Sequence, residues 1–367
     1  MMHDWLEPLW RRLVALDTRL PHAVLFIGPA GAGKRALVDA LAARLLCQTP
    51  AADGHACGQC ASCTLRRSRN HPDFYTVMPA AQAAASGNGG GGDSADGGGA
   101  NLADEATESG DGKGKGKAKS SQIIIEQVRA LQSALAVTGH QSSRRVIIVE
   151  PAEAMNTFTA NALLKLLEEP PEGCVFLLVS SMPRRLLPTI RSRCQIWTLG
   201  RPQAAAVEQW AASQPEAVRA LLPISGGMPL AAERLAESGL AAMHARFVRD
   251  VAGLPGGDPL ILAEQWEKWL KSKDAAAAGF DMVRLLDWML RWASDLASLR
   301  LGGRVRFFPA QAAVLTGLSA RLSVAGAVNC YNELSRMRRV AQHPLNARSM
   351  LEDMLLRYVR VVSGSRP

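Results

Sequence analysis

The chain has 367 residues, 48% of them hydrophobic and 20% charged, with a net charge of +9 at neutral pH. That length exceeds one hydrophobic core and implies two or three domains. No apolar run reaches the roughly 18 residues of a membrane span, and residues 1–20 carry Asp4, Glu7, Arg11, Arg12 and Asp17 among their apolar positions, so neither a membrane helix nor a secretory signal is expected and the protein is placed in the cytoplasm. The positive charge suits a nucleic-acid environment, but it bears on encounter rather than on fold.

Residues 23–27, Ala-Val-Leu-Phe-Ile, read as a buried strand and 35–47 as a helix. Between them Gly28-Pro29-Ala30-Gly31-Ala32-Gly33-Lys34-Arg35 has the glycine spacing and lysine of a phosphate-binding loop. Backbone N–H groups at the glycines and the Lys34 ammonium can cradle phosphate at the helix N-terminus. Arg35 stands where the pattern needs a hydroxyl for Mg²⁺. The metal bridges the outer phosphates and neutralises charge that develops in phosphoryl transfer, so at best the loop binds ATP or ADP with poor or no hydrolysis.

Four of seven cysteines cluster at Cys47, Cys57, Cys60 and Cys63, while Cys174, Cys194 and Cys330 are scattered. Two overlapping C-x-x-C steps, closed by Cys47 from the end of the preceding helix, suit a structural Zn²⁺ held by four sulfurs with no open position for water. An iron–sulfur cluster accepts similar runs, but the fourth cysteine here precedes them by ten residues and no redox motif accompanies it. Disulfides are disfavoured in a reducing compartment. His55 and His71 lie near enough to substitute as ligands, although a histidine beside a complete cysteine set is more often hydrogen-bonded elsewhere.

Residues 80–121 collapse to Gly, Ala, Ser, Asp and Lys, ending in alternating Lys113, Lys115, Lys117 and Lys119, and read as a disordered insertion. An α/β alternation then resumes: a helix over 122–138, a strand over 146–149 ending at Glu150, a helix over 157–169 stopped by Pro170-Pro171, and a strand over 175–179 with Ser180 and Ser181 at its carboxyl end, where open α/β sheets bind ligands. An ATPase wants a metal-binding Asp and a water-polarising Glu at the end of the 146–149 strand, but the chain supplies Glu150 and then Pro151, with Glu153 displaced. An arginine-rich segment follows with Arg184, Arg185, Arg191 and Arg193. Short helices are expected at 203–212, 215–222 and 229–237. Residues 240–362 are nearly all helical in pattern, with Phe280, Val283, Leu286, Trp288, Leu290 and Trp292 on one apolar face, Trp266 and Trp269 in a core, and Asn346 capping a last helix whose Met350, Met354, Leu355 and Tyr358 point inward.

The series GPAGAGKR, CGQCASC, His71-Pro72-Asp73, NALLKLLEEPP (161–171) and IRSRC (190–194) resembles the clamp-loader branch of the AAA+ ATPases, closely from residue 21 to 194 apart from the insertion and loosely beyond. The resemblance implies an α/β AAA+ P-loop domain (1–200) with an inserted zinc module (47–63), a helical lid (201–240) and an all-α collar for oligomerisation (241–367). It also implies that Arg193, in the Ser-Arg-Cys triplet, is a finger reaching the ATP of a neighbouring subunit. Family ATPases carry a lid arginine where this chain has Pro229 or Leu230. The expectation is therefore a subunit of the bacterial DNA polymerase III clamp loader without ATPase activity of its own. It would be partnered by gamma/tau and delta subunits and, through them, by the sliding clamp and primed DNA. The alternatives are an active gamma/tau-like ATPase, against which Arg35, Pro151 and the missing lid arginine speak, and a zinc-dependent nucleic-acid-binding protein, which lacks a recognition helix beside its cysteines.

Overall fold

The computed structural model describes residues 2–16, 19–85, 120–136, 144–341 and 346–363. The chain divides into two compact units, Met1–Gln203 and Ala204–Pro367.

The first unit contains, in order, α1 (Glu7–Leu16), β1 (Ala23–Ile27), α2 (Lys34–Leu46), α3 (Ala61–Arg67), β2 (Phe74–Val77), α4 (Ala80–Ala85), α5 (Ile125–Ala136), β3 (Arg145–Val149), α6 (Thr157–Glu168), β4 (Cys174–Ser180), α7 (Pro188–Arg193) and β5 (Gln195–Thr198). Its five strands form one sheet in the order β2-β3-β4-β1-β5, and all pairings are parallel. β1, β3 and β4 run as unbroken apolar stretches because helices cover both faces of a parallel sheet. Side-chain alternation sorts them: Leu25, Ile147, Val149, Phe176 and Leu178 pack with Val128, Leu131, Leu163 and Leu167 of α5 and α6. Val24, Phe26, Val146, Ile148 and Leu177 pack with Trp10, Leu13, Leu37, Val38 and Leu41 of α1 and α2. The Asn156 side chain accepts the Thr159 N–H and caps α6.

The expected disordered insertion is corrected at its start. Residues 80–85 form α4, because an alanine run is a good helix former and Ala83 is buried with Met78. Residues 86–119, with the four alternating lysines, lie outside the described residues.

The regular elements of the second unit's described residues are all helices: α8 (Ala204–Ala212), α9 (Glu216–Leu221), α10 (Pro229–Glu237), α11 (Leu240–Gly253), α12 (Pro259–Leu270), α13 (Lys273–Ala277), α14 (Met282–Arg300), α15 (Ala312–Ala320), α16 (Val324–Val340) and α17 (Ala347–Val362). One buried cluster runs from Val218 to Val362, so the stretches expected as lid and collar share a core, while Arg201, Pro202 and Gln203 fall with the first unit. Trp266, Trp288, Trp292 and Tyr358 are fully buried, and Trp292 Nε1 donates to Tyr358 Oη at 2.9 Å. The inward face of α14 differs from the expected one. Leu285, Leu286, Trp288, Met289, Trp292, Ala293 and Leu296 are buried, and Val283 and Leu290 lie at the margin, because α16 and α15 pack on a stripe shifted around the helix. On α17, Leu351 takes the buried place expected of Met350. Among the described residues no single helix is long and apolar enough to cross a membrane.

Candidate functional site

The Gly28–Arg35 loop leaves the carboxyl end of β1, and Gly33 precedes the first turn of α2. Gly28, Gly31 and Gly33 have φ of 153°, 81° and 102°, a region costly for residues with a Cβ. A Cβ at Gly28 would stand 2.3 Å from the Leu199 carbonyl oxygen, so that glycine is also required by β5 packing. The N-terminal segment closes on the loop: Trp5 Nε1 donates to the Ala32 carbonyl at 3.0 Å, and the Leu6 side chain lies where a Gly33 Cβ would meet it.

Lys34 is buried and its ammonium donates to the Gly28 and Pro29 carbonyls at 2.8 and 2.9 Å and to Ser181 Oγ at 2.9 Å. Those three bonds match its three protons. Ser181 thus joins the loop from the end of β4, the sheet's ligand-binding edge. Arg35 points to the end of β3. Its Nη1 donates to Glu150 Oε2 at 2.8 Å and its Nε to Asp39 Oδ2 at 2.8 Å. Burial, the largest influence, works against the charge, yet Asp39 and Glu150 together hold the guanidinium above its ordinary pKa. A fixed organic cation therefore stands between the loop and the β3 carboxylate, which a metal–nucleotide complex would need. Glu153 is tied on one side only: its Oε1 accepts the Ser181 N–H at 3.0 Å, while its Oε2 is buried without a hydrogen-bond partner among the described residues. The glycine cradle and Lys34 fit a phosphate if the lysine exchanges its internal acceptors, whereas Mg²⁺ does not fit.

The four cysteine sulfurs Cys47, Cys57, Cys60 and Cys63 lie within 4.8 Å of one another and could hold a metal ion. Separations of 3.5 Å (Cys47–Cys57) and 4.0 Å (Cys47–Cys60 and Cys57–Cys63) bracket the edge of about 3.8 Å that a tetrahedral ZnS₄ site has. Cys47 follows the last turn of α2 and Cys60 caps α3, accepting the Cys63 N–H. The Cys57 thiol is lowered to about 5 by a hydrogen bond with Thr49 and by the Gln59 and Cys60 N–H groups, while Cys63 is pushed up to about 12 by burial and by Cys60. Neither histidine joins the cluster. His55 stacks on Trp10 with ring centroids 4.6 Å apart. His71 is fully buried, and its Nδ1 accepts the Asp73 N–H at 3.1 Å, so Nε2 carries the proton and donates to Ser62 Oγ at 2.7 Å. Ser62 donates onward to the Leu46 carbonyl. The His-Pro-Asp motif thereby ties the cysteine module to β2, a role its spelling did not disclose. The remaining cysteines are buried, with burial pushing Cys194 and Cys330 up to about 12.

Arg193 ends α7, far in sequence from the loop. Its Nη1 donates to the Thr189 carbonyl at 3.3 Å and its Nη2 pairs with Glu168 at the end of α6. Arg184, Arg185 and Arg191 have no carboxylate partner among the described residues.

Strand, glycine loop and helix N-terminus at the carboxyl edge of a parallel sheet make the first unit an α/β domain of the P-loop type. Residues 9–203 match the family model described as DNA polymerase III, delta subunit. The DNA polymerase III subunit delta' of Pseudomonas aeruginosa is 36% identical over 82% of this chain and 78% of its own length. That of Escherichia coli is 32% identical over 63% of this chain and 59% of its own length. A DNA polymerase III subunit gamma/tau of Mycobacterium bovis is 31% identical over 77% of this chain but 45% of its own length. The chain belongs to the DNA polymerase III delta-prime family.

Proposed function

We propose that this chain is the non-hydrolysing subunit of the bacterial DNA polymerase III clamp loader, which holds the assembly and lends Arg193 to the ATP of a neighbouring subunit. The observation that carries the reading is the Arg35–Glu150 ion pair, which puts a side-chain cation where hydrolysis would need a metal. Pro151 supplies no base, and Glu153, displaced from the strand end, has one carboxylate oxygen tied to the Ser181 N–H. A guanidinium supplied in trans is always charged and can bind phosphoryl oxygens through two N–H groups, which stabilises the transition state of phosphoryl transfer. Its partners are then gamma/tau and delta subunits and, through them, the sliding clamp and primed DNA, in the bacterial cytoplasm at the replisome.

In this reading Zn²⁺ fills the four-cysteine module and holds the segment between α2 and α3, without chemistry. Residues 201–240 serve as lid and 241–367 as collar. The collar role is supported by α16, where Val324, Val328 and Tyr331, 44%, 38% and 40% exposed, form an apolar stripe at i, i+4, i+7 spacing suited to a neighbouring subunit's helix. The test is ATP turnover. The isolated chain should release phosphate no faster than a heat-killed control, and the loader reconstituted with gamma/tau and delta should turn over ATP with DNA. Steady turnover by the isolated chain would overturn the reading.

A further inference from the structure

We propose that Glu168 is a positioning residue for Arg193: it holds the guanidinium, before any nucleotide arrives, in the place from which it meets the neighbouring subunit's phosphate. The inference rests on the trans role of Arg193 proposed above and adds to it the group that aims the finger.

Four observations carry it. Of the four arginines between 184 and 193, Arg193 is the one with a carboxylate partner among the described residues. The helices that bring the two side chains together are fixed: Leu163, Leu166 and Leu167 of α6 share a buried cluster with Leu186, Ile190 and Cys194 around α7. The pair itself stays at the surface, with side chains 37% (Arg193) and 45% (Glu168) exposed. Finally, the Thr189 carbonyl and Glu168 take one N–H from each terminal nitrogen, which leaves the Nε–H and the second proton of each terminal nitrogen for another acceptor.

Stability does not explain the arrangement. A pair this exposed contributes little because water and salt screen it. A carboxylate in the last turn of a helix also meets the negative end of the helix dipole, so Glu168 is disfavoured there on its own account. What the pair does is remove rotamer freedom from a long side chain. An arginine tethered at two nitrogens, on a helix end fixed by packing, has less orientation to lose when it binds phosphate. The carboxylate presents the same planar oxygen geometry as a phosphate edge, so the guanidinium is held in the conformation that phosphate recognition uses. Because the tether is weak, the more highly charged triphosphate can take it over.

The test is a double-variant cycle in the loader reconstituted with gamma/tau and delta, purified by gel filtration so that only assembled complexes are assayed. Glu168→Ala should lower DNA-stimulated ATP turnover roughly threefold at the site facing this chain, as expected of a misaimed group, with the KM for ATP unchanged. Glu168→Gln keeps the hydrogen-bond acceptor and the shape and should recover part of the rate. In the Arg193→Ala background, Glu168→Ala should change nothing further. Full turnover with Glu168→Ala, where Arg193→Ala is slow, would overturn the positioning role and leave the finger reading standing. An equal loss from Glu168→Ala with and without Arg193 would mean local damage and would also overturn it. Full turnover with Arg193→Ala would remove the finger reading itself.

Discussion

Arg35→Ala is expected to destabilise the first unit although it removes a residue from what reads as a ligand-binding loop. The substitution leaves the Glu150 carboxylate, 17% exposed at the carboxyl edge of the sheet, without its cation. Asp39 is less affected, because Arg66 still lies 3.7 Å from its carboxylate. The lost Arg35–Asp39 pair, of i, i+4 type and partly exposed, accounts for a few tenths of a kcal/mol. The stranded Glu150 falls between exposed pairs, near or below about 1 kcal/mol, and fully buried ones, about 3–5 kcal/mol when one partner is removed. A loss of about 2–3 kcal/mol follows, roughly 30- to 150-fold in a local opening equilibrium. Native-state hydrogen exchange at Ile147, Ile148 and Val149, next to Glu150 on β3, reads that loss directly, and a urea titration reads it globally. Arg35→Lys should recover part of it, since the ammonium restores charge but not the two-pronged geometry. In a Glu150→Ala background Arg35→Ala should cost far less. The reasoning is refuted if Arg35→Ala stays within about 0.5 kcal/mol of wild type, or costs the same with and without Glu150.

Two further outcomes test other parts of the account. Cys60→Ser should reduce bound zinc from about one equivalent per chain and raise hydrogen exchange through residues 47–63, and wild-type protein purified without chelator that carries no zinc by mass spectrometry would contradict the module as read. His244 stacks on Phe308 at 5.7 Å and meets Trp288 edge-on, and burial lowers it from 6.5 to about 4. The unfolded chain therefore binds the proton first, so stability of the second unit is full above pH 6.5 and falls as pH drops toward 4, by up to about 3 kcal/mol. Urea titrations followed by tryptophan fluorescence should show that slope, and His244→Phe should flatten it.

What the amino-acid order discloses is uneven, for physical reasons. β1, β3 and β4 are legible because strands covered on both faces are written as unbroken apolar runs, and α6 because a capping residue, Asn156 or Thr157, and Pro170 mark its ends. β2 and β5 are not. Each has four residues at a sheet edge, and β5 shows one buried side chain, Trp197, in Gln-Ile-Trp-Thr, too short a pattern to set against a loop. The glycine loop and the cysteine cluster could be read directly, since spacing alone defines them. The closing partners could not. Ser181 reaches Lys34, Glu150 reaches Arg35, and Ser62 reaches His71 across the fold, and Trp5 covers the loop from a segment that sequence reading treated only as too charged for a signal. Among the neighbouring arginines the Ser-Arg-Cys triplet marks Arg193 in the sequence, but its carboxylate partner Glu168 lies on another helix and is not legible there.

The most direct measurement of the central claim compares Arg193→Ala with Arg184→Ala in the reconstituted loader, by DNA-stimulated ATP turnover and by the rate of clamp loading. If Arg193 acts in a neighbouring site as proposed, it contributes to a transition state there and little to this chain's own fold, so the variant should assemble normally, lose part of the turnover and lose more of the loading rate if the sites act together. Arg184→Ala should match wild type in both. Equal, wild-type rates for the two variants would mean that Arg193 is ordinary surface charge and that this subunit lends no finger to its neighbour.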